Sequence, residues 1–290
     1  MSRGRRRLVP YFLLGPGLLW LFVFFAIPMA FMGYISLNSG SIEDGFSFTS
    51  EWTNFGAAFG DYGSQFGRSF LFAGIATLFA LLIAYPLAYT MAFHGGKWKN
   101  ALLLIVIAPF FTTYLIRTLA WQTILADEGA IVDVLSFLAV VPEGEGVLKT
   151  PGSVIAGITY NFLPFMVLPI YASLEQMDQR LIEAARDLYA TSRQAFLRVT
   201  LPLSAPGVIA GVLLTFIPAF GDYINAIILG GTGQAMIGNV IQSQYLLVED
   251  YPLAAALSFV VMAIMLALVL VYIRFAGSEA LMGDETEESR

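Results

Sequence analysis

The chain has 290 residues, of which 58% are hydrophobic and 12% are charged. A water-soluble domain of this length cannot hide so many apolar side chains in one core, so the sequence predicts a protein that is solvated by lipid. Cysteine is absent and histidine occurs once, as His94, which excludes a disulfide framework and a multi-histidine metal centre. The formal net charge of −6 says little by itself, because most of the charged residues lie in loops and tails between long neutral stretches.

Six apolar stretches are long enough to cross a bilayer as helices. They lie near residues 11–36, 69–93, 100–125, 152–174, 203–230 and 253–275. Backbone groups in lipid must form their hydrogen bonds internally, so each stretch is predicted to be helical and the fold class is all-α. No linker or soluble insertion interrupts the series, so residues 1–290 are predicted to form one transmembrane domain.

The first stretch follows a group of arginines, as the core of a signal peptide would. It is longer than such a core, however, and has no small-x-small cleavage site at its end, which favours a retained helix. Short cytoplasmic loops carry an excess of Lys and Arg, and here the basic residues alternate with acidic loops along the chain. The predicted inside residues are Arg3, Arg5, Arg6, Arg7, Lys97, Lys99, Arg180, Arg186, Arg193 and Arg198. Both termini are therefore predicted to be cytoplasmic.

The longest inside segment, residues 175–202, has a helical pattern. An apolar stripe at spacings of three and four consists of Leu181, Ala184, Ala185 and Leu188. Phe196 and Val199 begin a second short amphipathic run, which Pro202 closes. The sequence predicts a helix-turn-helix outside the membrane, and periodicity alone allows a loop that rests on the lipid surface equally well.

Glu183-Ala184-Ala185, followed by Phe196 and by Leu201-Pro202, resembles the EAA motif of the membrane subunits of ABC importers. The resemblance implies the type I importer permease fold, in which the first short helix docks in a groove of the ATPase subunit and transmits its closure. The residues that it assigns to ATPase coupling are Glu183, Ala184, Ala185, Arg186, Asp187 and Tyr189.

One position departs from this motif. The family usually has glycine four residues after the second alanine, where this chain has Tyr189. Glycine permits a turn with a positive φ angle that tyrosine resists, so we expect either a displaced turn or a strained tyrosine.

Most of the chain is similar to the first permease subunit of spermidine/putrescine importers. The similar stretches are Pro109-Phe110 with Leu115 to Thr118 and Ala120-Trp121, then Tyr160 to Ser173, and then Gly221-Asp222-Tyr223 with Leu229-Gly230-Gly231. The resemblance implies import of polyamines by alternating access across the bacterial cytoplasmic (inner) membrane. It also implies a second homologous permease, two ATPase subunits and an extracytoplasmic solute-binding protein as partners.

No phosphate-binding GxxxxGK[ST] sequence is present, so the chain is not expected to be an ATPase. ATP and Mg would be bound by the partner ATPase, and the chain itself is expected to hold no cofactor, no metal and no nucleic acid. His94 is interpreted as a solvated turn residue, and no catalytic residue is assigned.

The candidate substrate pathway centres on Asp222, the one carboxylate predicted inside a spanning helix, where an ionisable group is costly and faces a cavity or partner. Asn225 shares its face, and Trp121, Tyr160 and Tyr223 could attract an ammonium group by cation–π contact. An alternative is that Asp222 pairs with Arg117, and the aromatic residues form interfacial belts. A cationic cargo would require Arg117 to be neutralised, so both interpretations can hold.

Other functions stay open. Within the same class, the cargo could be an opine, an iron complex or an inorganic anion, with Arg117 as the contact. An ion-coupled secondary transporter would be expected to carry more midplane ionisable groups or repeat symmetry. An intramembrane enzyme would need a catalytic pair, and none is evident in the sequence.

Overall fold

The computed structural model describes residues 14–43, 45–126, 129, 132 and 146–276. Contacts divide the chain into two units, residues 1–63 with 240–264 and residues 64–239 with 265–290. The helices are α1 (Leu14–Ser36), α2 (Thr53–Gly60), α3 (Gly63–His94), α4 (Gly96–Phe111), α5 (Tyr114–Ile124), α6 (Pro151–Glu175), α7 (Gln179–Asp187), α8 (Ser192–Leu203), α9 (Ala205–Phe220), α10 (Ile224–Ile228), α11 (Ile237–Ser243) and α12 (Tyr251–Ala276).

Four of the described helices, α1, α3, α6 and α12, are long and apolar enough to cross a membrane singly. Two further pairs pass the same test together, but each is bent, α4 with α5 by 95° and α8 with α9 by 60°. If each bent pair is one span, the six predicted stretches are all accounted for. The all-α class is thus confirmed, while the N-terminal arginines, the acidic residues between 279 and 290 and most of the loop after α5 lie outside the described residues.

The prediction of one continuous helix over 100–125 is wrong. The chain leaves the helical conformation at Thr112 and Thr113, whose ψ angles of 143° and 146° are extended. Two adjacent β-branched residues favour this conformation, because their side chains crowd the preceding helical turn. The break redirects the chain by 95° and places α5 as a separate segment.

The prediction of a continuous helix over 203–230 is also wrong. Helix α8 runs through Pro202, the chain bends at Ser204, and α9 ends at Phe220. A second short helix, α10, follows after Gly221 and Asp222. Asp222 therefore lies in a connection between two helices and not inside a spanning helix.

A small β-hairpin in the first unit was not predicted. Strands β1 (Asn38–Ser41) and β2 (Gly45–Phe48) pair antiparallel, with Asn38 opposite Phe48. The amide of Asn54 donates to the backbone oxygens of Ser36 and Asn38 over 2.9 and 3.1 Å, which fixes the start of the hairpin. The hairpin is a short addition to an otherwise helical chain.

The second unit is built on close packing of α6 against α9. Small residues on α9 allow the backbones to approach, as is typical of helices in membranes. A buried cluster shared by α3 and α6 continues this core, and it contains Ala80, Ala84, Ala88, Met91, Met166, Val167, Ile170, Tyr171 and Leu174.

Replacing Gly207 by alanine is expected to destabilise the protein by about 1–3 kcal/mol, because the added Cβ overpacks the contact between α6 and α9. That atom would lie 2.5 Å from the Pro169 carbonyl oxygen and 2.5 Å from Ser173 Cβ. Gly74→Ala is the matched control, since nothing lies within 4 Å of its Cβ. It should be neutral or stabilising in thermal unfolding of the detergent-solubilised protein. Equal melting temperatures for both variants would contradict the packing described here.

Candidate functional site

The helix-turn-helix predicted between residues 175 and 202 is present. Helix α7 begins after Asp178, whose side chain accepts a hydrogen bond from the backbone N–H of Arg180 over 2.9 Å. Helix α8 begins after Thr191, which forms a reciprocal capping pair with Gln194. Each helix thus carries its own start signal, and the turn between them spans only a few residues.

The turn after α7 lies where the motif places it, and Tyr189 adopts the conformation that the motif gives to glycine. Its φ angle is 62°. The backbone N–H of Tyr189 donates to the Arg186 carbonyl, and that of Ala190 donates to the Ala185 carbonyl, the two bonds of a Schellman cap. A left-handed conformation costs a residue with a Cβ about 1–2 kcal/mol. The expectation of a strained tyrosine is therefore met, and the turn is not displaced.

The apolar stripe of α7 is divided between two directions. Ala185, a member of the stripe, is half-buried, as is the neighbouring Ile182, and α7 contacts α8. Leu181, Ala184 and Leu188 are exposed. Within the described residues, the exposed charges of α7 form no ion pair with one another or with other helices. The helix thus presents an uncovered apolar strip bordered by charged side chains.

Aromatic rings join this segment to α3. The ring of Phe196 lies 5.7 Å from that of Tyr85 at an interplanar angle of 90°, and 5.9 Å from that of Tyr89 at 74°. The Tyr85 hydroxyl and the Ser204 hydroxyl are hydrogen-bonded at 2.8 Å. Edge-to-face pairs of this kind are favourable, so the rings and this hydrogen bond together hold α8 and the bend that follows it against α3.

A buried polar network joins α5, α6 and α10, with Asn225 at its centre. The Asn225 amide nitrogen donates to the Tyr114 hydroxyl at 2.6 Å and to Asp222 Oδ2 at 2.5 Å. Its amide oxygen accepts from the Asn161 amide at 3.1 Å and from the Thr118 hydroxyl at 3.4 Å. Asn225 is fully buried. Both the nitrogen and the oxygen of its amide nevertheless have hydrogen-bond partners, and all of these are side chains of the same chain.

Asp222 has both carboxylate oxygens occupied. Oδ2 also accepts from the Tyr114 hydroxyl at 2.8 Å, and Oδ1 accepts from the backbone N–H groups of Ile224 and Asn225, at the start of α10. Its side chain is buried. In this conformation Asp222 acts as a cap and a network member, and its predicted contact with a substrate would require the network to open.

The pairing of Arg117 with Asp222 is not formed. Arg117 is buried, and its guanidinium carbon lies 4.2 Å from the centre of the Phe110 ring. Among the described residues, its Nε and Nη1 atoms have no hydrogen-bond acceptor. The positive charge is therefore stabilised by an aromatic face and not by the Asp222 carboxylate.

The other predicted pathway residues separate into two places. Trp121 and Tyr160 lie with ring centres 5.3 Å apart and line an apolar cavity of about 410 Å³. Tyr223 is partly exposed, and its carbonyl accepts from the Asn239 amide. Sequence reasoning missed Tyr114, Thr118 and Asn161 as partners of Asn225. The available signal was that hydroxyl and amide side chains within apolar stretches require partners.

The part of the chain that matches known proteins includes the helix-turn-helix of residues 175–202, called the coupling segment below, and the buried polar network. A family model described as "Binding-protein-dependent transport system inner membrane component" matches residues 84–277. The spermidine/putrescine transport system permease protein PotB of Haemophilus influenzae is 37% identical over 256 residues, 88% of this chain and 90% of that protein. PotB of Escherichia coli K12 is 41% identical over 200 residues, 69% of this chain and 73% of that protein.

A solved structure shows the same fold. A chain of a bacterial ABC transporter involved in the import of the acidic polysaccharide alginate superposes with a TM-score of 0.69, covering 93% of this chain and 96% of that chain at 19% identity. The prediction that this chain is a membrane component without ATPase activity of its own is confirmed by these relationships. The chain belongs to the family of binding-protein-dependent transport system inner membrane components, and it is a permease subunit of an ABC importer.

Proposed function

We propose that this chain is the first permease subunit of a polyamine importer, which carries spermidine and putrescine across the bacterial inner membrane. The observation that carries the proposal is the 37% identity to a spermidine/putrescine permease across 88% of this chain and 90% of the relative. The chain would pair with a second homologous permease, with two ATPase subunits inside and a solute-binding protein outside. Both termini would then be cytoplasmic.

The cavity beside Trp121 and Tyr160 supports a cationic cargo. Its walls are apolar, and the two aromatic faces can attract an ammonium group while the methylene chain of a polyamine contacts the remaining walls. Arg117 would repel such a cargo, but its charge lies buried against Phe110. Asp222 stabilises the fold as a member of the polar network, where its carboxylate caps α10.

The coupling step would begin at α7. Closure of the ATPase subunits would push on the exposed strip of Leu181, Ala184 and Leu188. Because α8 contacts α7 and its Phe196 ring packs against Tyr85 and Tyr89, this push would reach α3 as well as the covalently joined α6 and α9. Alternating access then follows from rigid-body movement of these helices.

The proposal is tested by ATPase activity of the complete complex in liposomes, with the binding protein and a panel of solutes. We expect spermidine and putrescine to stimulate hydrolysis and an opine, an iron complex and phosphate to have no effect. Stimulation by one of those other solutes, and not by a polyamine, would overturn the substrate assignment.

A second candidate is import of an anionic solute, and the unpaired guanidinium nitrogens of Arg117 favour it. An anion that reached Arg117 would satisfy the two nitrogens that have no acceptor among the described residues. The same solute panel decides between the candidates, because Arg117→Gln should abolish stimulation by an anion and leave stimulation by a polyamine largely intact.

A further inference from the structure

The side chain of Tyr189 lies almost entirely outside the packing of the described residues, although its backbone is strained. It is 96% exposed, and the neighbouring Leu188 is 82% exposed. Among the described residues, the Tyr189 phenol has no hydrogen-bond partner and no ring contact. Glycine would form the same Schellman cap without the steric cost. Within the described residues, no contact of the tyrosine side chain offsets this cost.

The exposed strip of α7 fits a protein partner better than a lipid surface. Helices that lie on membranes have large apolar faces and basic polar faces. Helix α7 instead carries two arginines, Arg180 and Arg186, against two carboxylates, Glu183 and Asp187. It therefore has no net charge to draw it to anionic lipid. Its uncovered strip is narrow and ends at Leu188 and Tyr189, which suits insertion of one or two side chains into a pocket.

We propose that Tyr189, with Leu188, is an anchor that selects which ATPase subunit this permease accepts. This inference rests on the proposed docking of α7 on the ATPase. The phenol ring would enter an apolar pocket at the end of the docking groove, and the left-handed backbone at residue 189 would aim it there. A tyrosine loses little conformational entropy on binding and buries a large area, so it is a frequent hot spot of protein interfaces. An ATPase without the pocket would meet the ring as a clash, which gives selectivity as well as affinity.

The test measures binding of the purified cognate ATPase to the reconstituted pair of permeases, for wild type and for variants at this position. Tyr189→Gly should keep or raise the thermal stability of the permease, since it relieves the turn, yet weaken ATPase binding about tenfold or more. Tyr189→Phe keeps the ring and should bind within about twofold of wild type. Tyr189→Gly should also improve acceptance of an ATPase from an importer whose permease has glycine at this position.

Ala184→Glu separates this inference from the docking on which it depends. If Ala184→Glu loses the ATPase while Tyr189→Gly binds as tightly as wild type, the docking stands and the role of Tyr189 is overturned. If neither variant changes ATPase binding, the proposed docking itself fails. If Tyr189→Gly leaves ATPase binding unchanged and only reduces association with anionic vesicles, the anchor belongs to the membrane and the inference is overturned.

Discussion

Replacing Asn225 by leucine is expected to destabilise the protein by about 2–5 kcal/mol, because it removes four hydrogen bonds from buried polar side chains at once. Leucine has a similar shape but offers no donor or acceptor to Asp222, Tyr114 or Asn161, which the asparagine joins in the structure. The Asp222 carboxylate would lose its amide donor in a region where water cannot replace it. Thermal unfolding of the purified permease measures the effect directly.

Asn100→Leu is the matched control for this prediction. It makes the same chemical change at an exposed asparagine whose side chain forms no hydrogen bond within the described part of the chain. We expect its melting temperature to stay close to that of wild type, since surface substitutions away from special features change stability little. Equal losses for the two variants would mean that the network does not stabilise the protein.

Placing a carboxylate on the exposed strip of α7 is expected to uncouple the permease from its ATPase. Ala184→Glu would bury an unpaired charge if this strip docks on the ATPase, and removal of such a charge from water costs several kcal/mol. We expect solute-stimulated ATP hydrolysis to fall at least about tenfold. The measurement compares hydrolysis by wild-type and variant complexes in liposomes with the loaded binding protein.

Gln179→Glu is the control, because it adds the same charge to the same helix near its N-terminus, away from the strip. An acidic side chain in the first turn of a helix is favourable, so α7 should remain intact. Ala184→Glu should leave α7 intact as well, since glutamate is a good helix former. Unchanged stimulation in Ala184→Glu would show that the strip is not the docking surface.

The apolar pattern predicts where the helices lie but not where they are interrupted. Continuous apolar length was enough to find each stretch, because lipid leaves few alternatives to a helix. The breaks at Thr112-Thr113 and at Ser204 are local changes in backbone conformation. Neither of them interrupts the apolar pattern that predicts the spans. The end of α9 at Phe220 was missed for the same reason, and with it the position of Asp222.

The coupling segment was predicted more closely than the polar network. Amphipathic spacing is informative outside the membrane, so the helix-turn-helix could be expected from the sequence. The strain at Tyr189 was expected from the resemblance to the EAA motif, which usually has glycine at that position. Inside the membrane every helix face is apolar, and periodicity does not show which residues meet. Asp222 and Asn225 were singled out by polarity alone, whereas their contacts with Tyr114, Thr118 and Asn161 depend on how α5, α6 and α10 pack.

The most direct test of the proposed function is ATP-driven uptake of labelled spermidine into liposomes that contain the complete complex. The predicted result is accumulation that requires ATP and the binding protein and that is lost in Ala184→Glu. Absence of uptake, in a complex whose ATPase is stimulated by a different solute that does accumulate, would contradict the assignment of polyamines as the cargo.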